Sequence, residues 1–313
     1  MTTTETQTND VTRATAPETA PEQRAVFGIF KAPPLHWVGD GFRVHGYFQA
    51  IPDAVRRLSP FLMLDYHPPY AYPPSPQPRG VGVHPHRGFE TVTIAFQGSV
   101  AHHDSAGGGG VIGPGDVQWM TAASGVLHKE YHEQKFSREG GTFHMAQLWV
   151  NLPRKHKLDP PRYQALVSDR MGAVTLPDGA GTLRVIAGEY RGVRGPAETH
   201  TRVDLYEVRL EAGGKVELEF PARHNLALLV MSGEVKLHAR SGATAGENDF
   251  VVFDNVGERV VVEATRGAHL LVLGGEPIDE PVVQYGPFVM NSEREIMQAF
   301  ADFSSGKFGE LED

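Results

Sequence analysis

Four side chains spaced in pairs have the types and separation to hold a metal ion. His84 and His86 flank Pro85, and His128 and Glu130 flank Lys129. In an extended strand residues i and i+2 project from one face, so each pair offers two donor groups to one point. Two such pairs facing each other give three imidazoles and one carboxylate. That set leaves one or two positions open for substrate, water or dioxygen, as a catalytic metal requires. Pro85 lacks a ladder donor, so its strand should begin here or lie at a sheet edge. A single His-x-His is usually a surface or hydrogen-bonded feature; the second pair is what makes the combination informative. The chain has no cysteine, which excludes disulfides, thiolate catalysis and cysteine-held zinc or iron–sulfur sites. The nitrogen and oxygen donors that remain suit iron, manganese, nickel, copper or zinc.

Other residues compete for roles. Glu90 lies four residues past His86 in HRGFE and would share its face if no bulge intervened. It is therefore the alternative carboxylate ligand to Glu130, or a partner of a ligand His or of Arg87. His102 and His103, just past a glycine turn, read as solvated. His132 stands two residues from Glu130 and could approach the same point, with Glu133 beside it; His144 reads as structural. Gly107–Gly110 resembles a phosphate loop only in composition, because no Lys-Ser or Lys-Thr follows; it reads as a flexible hairpin loop. Trp119, Met120, Gln147 and Trp149 read as core, with alternate members available to line a pocket.

The elements that must carry these residues are short strands. TVTIAF (91–96), GSVAHHD (98–104), DVQWMTA (116–122), VLHKEY (126–131) and MAQLWVNL (145–152) follow one another between Gly, Pro and Ser turns. Such spacing indicates an antiparallel barrel or sandwich. Thirty-five Gly and 23 Pro suit it. After the charged segment RKHKLDPPRYQ (154–164), a second β-rich set runs from LRVIAGEY (183–190) to HLLVLGG (269–275). The halves resemble each other: HRGFETVTIAFQGSV (86–100) matches HNLALLVMSGEV (224–235), and IGPGDV (112–117) matches AGENDF (245–250), as duplication of one barrel would produce. The second half has a single His, His224, where the first has HPH, and no H-x-E follows, so no metal is expected there. One helix is predicted, SEREIMQAFADF (292–303), with Ser292 and Glu295 as a capping box and Ile296, Phe300 and Phe303 as its apolar stripe. The expected organisation is a disordered tail (1–24), a metal-binding barrel (25–153), a connecting segment (154–182), a metal-free barrel (183–290) and a C-terminal helix and tail (291–313).

Composition limits the partners. With 29 basic and 38 acidic residues the net charge is −9, and no Lys/Arg cluster offers the footprint of a nucleic-acid binder. No apolar run is long enough for a signal peptide or a membrane span, so the expected location is the cytoplasm.

GVHPHRGFETVTIAFQG (82–98) followed by IGPGDVQWMTAASGVLHKE (112–130) resembles the pirin family of bicupins. The similarity extends through WVNLPRKHKLDPPRYQ (149–164), VIAGEYRGVRGP (185–196) and GGEPIDEPVVQYGPFVMNSEREIMQAF (274–300), so that it covers nearly everything from about residue 26 onward. The resemblance implies an all-β chain of two tandem cupin barrels with a short C-terminal helix. It implies one divalent metal, iron as Fe(II), held by His84, His86, His128 and Glu130. It also implies a quercetin 2,3-dioxygenase activity, in which dioxygen opens a flavonol ring with release of carbon monoxide. The physical mechanism these residues suggest is a metal-bound flavonol hydroxyl whose proton Glu130 takes as general base. The alternative it carries is a redox-sensitive regulatory protein acting through a protein partner. A monomer is the implied state.

Overall fold

The computed structural model describes residues 22–240 and 242–312; most of the expected tail, residues 1–21, lies outside them. The first barrel is made of two antiparallel sheets. One is four-stranded, in the order Gly80–His86, Val126–His132, Val100–Asp104, Gly109–Ile112. The strand bearing Pro85 is its edge, where a missing donor costs no ladder bond. The other sheet is seven-stranded and has Phe89–Gln97 between Val117–Thr121 and Gly141–Asn151 at its middle. Its outermost member, Arg162–Leu166, comes from the expected connecting segment and pairs with Val117–Thr121.

The second barrel is a nine-stranded sheet centred on Asn225–His238 and Arg259–Gly275. The chain reaches it first from the other end. Val26–Phe30, expected in the first barrel, pairs with Phe250–Phe253 of the second. Arg24, expected in the tail, is fully buried and donates to the carbonyls of His224 and Pro221 at 2.7 Å. A buried guanidinium needs such acceptors, and the turns of the second barrel provide them.

The duplication is visible in hydrogen bonds. In the first barrel Asp116 Oδ2 accepts from Gly113 N–H and Ala95 N–H donates to the Asp116 carbonyl; in the second, Asp249 accepts from Gly246 and Val230 donates to Asp249. One apolar core joins the two halves, with Val92, Ile94, Trp119 and Leu148 packed among Leu229, Phe250 and Leu271. Strand parity explains this: on Phe89–Gln97 the even positions face the partner barrel and the odd positions face the first barrel's interior.

The C-terminal helix, Glu293–Ser304, is capped by Ser292, whose Oγ accepts from Glu295 N–H. The box differs slightly from expectation, since Glu295 reaches back to the N–H of Asn291. The buried face is Ile296, Ala299 and Asp302, while Phe300 and Phe303 stay more than a third exposed. Apolar periodicity missed Asp302 because its burial depends on a distant cation: Arg87 donates to it at 2.8 Å. Among the described residues no helix is long and apolar enough to cross a membrane.

Candidate metal centre

Antiparallel register places His128 directly opposite His84 on adjacent strands, and Val126 opposite His86. Cross-strand neighbours on one face touch. The His84 and His128 rings are 4.2 Å apart, His86 and His128 4.7 Å, and His84 and His86 4.8 Å. One donor nitrogen from each of the three lies within 4.8 Å of the others. The strand Val126–His132 alternates strictly between buried and half-buried, which turns His128 and Glu130 to the same interior.

The three rings expose lone pairs that the protein does not use. His84 Nδ1 donates to the Gly82 carbonyl at 2.8 Å, which leaves Nε2 as its lone-pair nitrogen. His86 Nδ1 and His128 Nε2 are buried without hydrogen-bond partners. Burial, reinforced by the neighbouring imidazoles, holds His86 and His128 well below the ordinary histidine range, so both rings are neutral at pH 7. Neutral, buried, unpartnered imidazole nitrogens are unfavourable unless something electrophilic meets them. This donor set fits a divalent cation.

Glu130 is 4 % exposed, and its carboxylate accepts from Thr93 Oγ1 at 2.9 Å, from Gln147 Nε2 at 2.6 Å and from Gln118. It lies within 4.8 Å of donor atoms of His128 and His102, and it shares with His84 and His86 the lining of a cavity of about 300 Å³. The cavity walls are largely apolar, with Phe42, Val44, Met63, Met145 and Trp149 among them, and Gln147 adds an amide. Of the four pocket candidates Gln147 and Trp149 line it. Trp119 lies in the core shared by both barrels, and Met120 packs with Ala122 and Val126.

Glu90 faces the other way. Gly88, at φ +88°, breaks the strand between His86 and Phe89, so counting four residues from His86 no longer preserves the face. Phe89 meets the His86 ring at 5.0 Å, whereas Glu90 points to the seam between the barrels, 4.0 Å from His200 Nε2.

His102 is the functional candidate that sequence reading passed over. It is fully buried, not solvated; its Nδ1 lies 3.3 Å from His128 Nδ1 and its Nε2 lies 3.4 Å from Asp104 Oδ2. The ring stacks on Tyr163 at 5.2 Å. If His128 presents a lone pair at Nε2, its Nδ1–H donates to His102, and His102 Nε2–H donates to Asp104. This chain of hydrogen bonds fixes the tautomer of both rings. Burial pushes the Asp104 carboxyl up, but His102 and the N–H groups of Gly108 and Ala106 outweigh it and hold it below the usual range. The signal was alternation: His102 and Asp104 share the inner face and His103 is exposed.

The remaining candidates stand apart from the centre. His132 is enclosed by Tyr72, Phe136 and Phe143 and bonded to the Gly41 carbonyl at 2.9 Å. Glu133 caps the short helix Gln134–Glu139. His144 bonds Tyr66 Oη at 2.9 Å. Gly109–Ile112 is a strand, and Gly108 N–H bonds Asp104, so the glycine run is not an open loop. His224 belongs to none of the three-donor groupings found among the described residues.

Two tandem cupin barrels, the first carrying three converging imidazoles beside a buried carboxylate, define a bicupin. Residues 41–150 match the pirin family and residues 205–309 match the pirin C-terminal cupin domain. A Pseudomonas aeruginosa protein described provisionally as a quercetin 2,3-dioxygenase is 51% identical over 91% of this chain and 98% of its own length. Human pirin is 36% identical over 82% of this chain and 84% of its own. A crystal structure of quercetin 2,3-dioxygenase from Acinetobacter baumannii superposes with a TM-score of 0.88 at 43% identity, covering 93% of this chain and all of that one. The chain belongs to the pirin family.

Proposed function

We propose that this chain is an iron-dependent oxygenase that opens the ring of a flavonol-like substrate with dioxygen, with His84, His86, His128 and Glu130 as ligands. The observation that carries the reading is the pairing of unpartnered imidazole nitrogens with an apolar cavity on the same barrel interior. The similarity to proteins named quercetin 2,3-dioxygenase supports the substrate class. At about 300 Å³ the cavity is at the lower limit of small-molecule sites, about 300–1,000 Å³.

Bound there, a divalent metal supplies Lewis acidity that lowers the pKa of a ligated hydroxyl. The protein's own groups do the rest. Glu130 takes the hydroxyl proton as general base, and Thr93, Gln118 and Gln147 hold its carboxylate in position. Trp149, 5.2 Å from the His86 ring, offers a face to an aromatic substrate. Phe42, Val44 and Met145 exclude water, which strengthens electrostatic interactions inside the cavity. The ring opens with both dioxygen atoms entering the organic product and one ring carbon leaving as carbon monoxide.

An oxygen electrode and a carbon monoxide assay test this. Iron-loaded protein should consume oxygen on addition of quercetin and release carbon monoxide. Glu130→Gln should lower the rate by about 10²–10⁴-fold, the range for a lost general base. No oxygen uptake with any flavonol would remove the oxygenase reading.

A further inference from the structure

A second group of potential ligands lies outside the barrel interior. His156, Asp159 and His200 bring one donor atom each within 4.8 Å of one another. His156 and Asp159 stand in the turn region after Gly141–Asn151, and His200 stands in the loop before Val203–Leu210 of the second barrel. His156 Nδ1 bonds Asp159 Oδ2 at 2.7 Å, and the two imidazole rings are 4.5 Å apart. Behind them is Glu90, 1 % exposed, with Oε1 4.0 Å from His200 Nε2.

Three features point this cluster toward a cation. Glu90 is a buried carboxylate whose only basic neighbour within 4.0 Å among the described residues is His200. Thr121 Oγ1 donates to Glu90 Oε1 at 2.6 Å. The two nearby fixed cations are otherwise placed: Arg162 pairs with Glu198 at 2.7 Å, and Lys155 is exposed. The three outer side chains are only partly buried, so an ion has access and the rings have room to rotate. Tetrahedral zinc with bonds of about 2.0–2.1 Å sets its donor atoms about 3.3 Å apart, within reach of such rotations.

We propose that His156, Asp159 and His200, backed by Glu90, form a second divalent-cation site of zinc type that ties the two barrels together. Two imidazoles with one or two carboxylates are a zinc donor set. The ligands come from strand Phe89–Gln97, from the segment between the barrels and from the second barrel's entry loop. An ion bound there exists only in the assembled fold and stabilises it by mass action. The loop is already held against the first barrel by Arg162 and Gln164, which bond Glu198. This site does not depend on the oxygenase reading.

The test is zinc stoichiometry of full-length, chelator-stripped protein at micromolar free zinc, measured by elemental analysis alongside thermal unfolding. A zinc equivalent should disappear in His156→Asn and in His200→Asn and persist in His128→Ala. Zinc should raise the Tm of His128→Ala and leave that of the His128→Ala/His200→Asn double variant unmoved. Glu90→Gln, nearly isosteric, should weaken this equivalent at least tenfold. Because His156 and His200 are partly exposed, their Asn variants should keep the wild-type circular dichroism spectrum. Zinc binding that is unchanged by both Asn substitutions, or that is lost only with His128, would overturn the proposal.

Discussion

His128 sits between two demands: its Nε2 is buried without a hydrogen-bond partner and its Nδ1 faces His102. The second contact predicts an effect at a distance from the ligands. His102→Ala or Asp104→Asn should reduce metal affinity about 10–100-fold, the usual cost of losing a partner behind a ligating histidine, without removing any ligand. Competition with a chromophoric chelator measures this; unchanged affinity in both variants would mean that the Asp104–His102–His128 chain has only a packing role. The ligand candidates were legible as i, i+2 pairs because a strand preserves faces. Glu90 departs from that arithmetic because Gly88 interrupts the strand, and His102 departs from the solvated expectation because alternation along its strand separates it from exposed His103.

At the scale of elements, the turn at Arg87–Gly88 aligns the edge strand of one sheet with the central strand of the other. Gly88 has φ +88°, and an added Cβ would run into the Val289 carbonyl oxygen. Its own carbonyl accepts from the buried Lys157, whose ammonium also bonds Asn151 at 2.6 Å and the Val289 carbonyl at 3.0 Å. Gly88→Ala should cost about 1–3 kcal/mol from backbone strain alone, with the clash added, and should lower both the denaturant midpoint and the metal content. A variant as stable as wild type would show that the turn can relax without the glycine. The strands and the C-terminal helix were readable from periodicity and capping. The helix's buried face was not, since Asp302 is drawn inward by Arg87 from 215 positions away.

Across the whole molecule, duplication was visible as paired Gly-x-x-Asp turns, but the crossing of Val26–Phe30 into the second barrel was not, because a strand's own residues do not identify its partner. The seam between the barrels holds polar groups as well as the shared core. Glu207 is 2 % exposed beside His269, Arg184 and Arg209, and His269 meets Phe96 of the first barrel at 5.2 Å. Burial pushes Glu207 up, but those three partners pull it down to about 2, from an ordinary 4.5. A depressed carboxylate contributes stability that is complete above its unfolded pKa and is lost as pH falls through the folded one. The contribution should therefore be full above about pH 4.5 and fade toward pH 2. Glu207→Gln should cost about 3 kcal/mol at pH 7, from 1.36 kcal/mol per pKa unit, with the gap to wild type closing as the pH is lowered through that window. Urea unfolding from pH 7 to pH 3 checks it; a gap independent of pH would assign the loss to packing.

The proposed activity depends on three imidazoles and Glu130 enclosing one cation. Anomalous diffraction at the iron edge from crystals of iron-loaded protein tests it most directly. A peak is expected in the first barrel's interior within about 2.0–2.2 Å of one nitrogen each from His84, His86 and His128 and of a Glu130 oxygen. Iron-loaded crystals with no peak there, or with a peak whose ligands omit these residues, would contradict it.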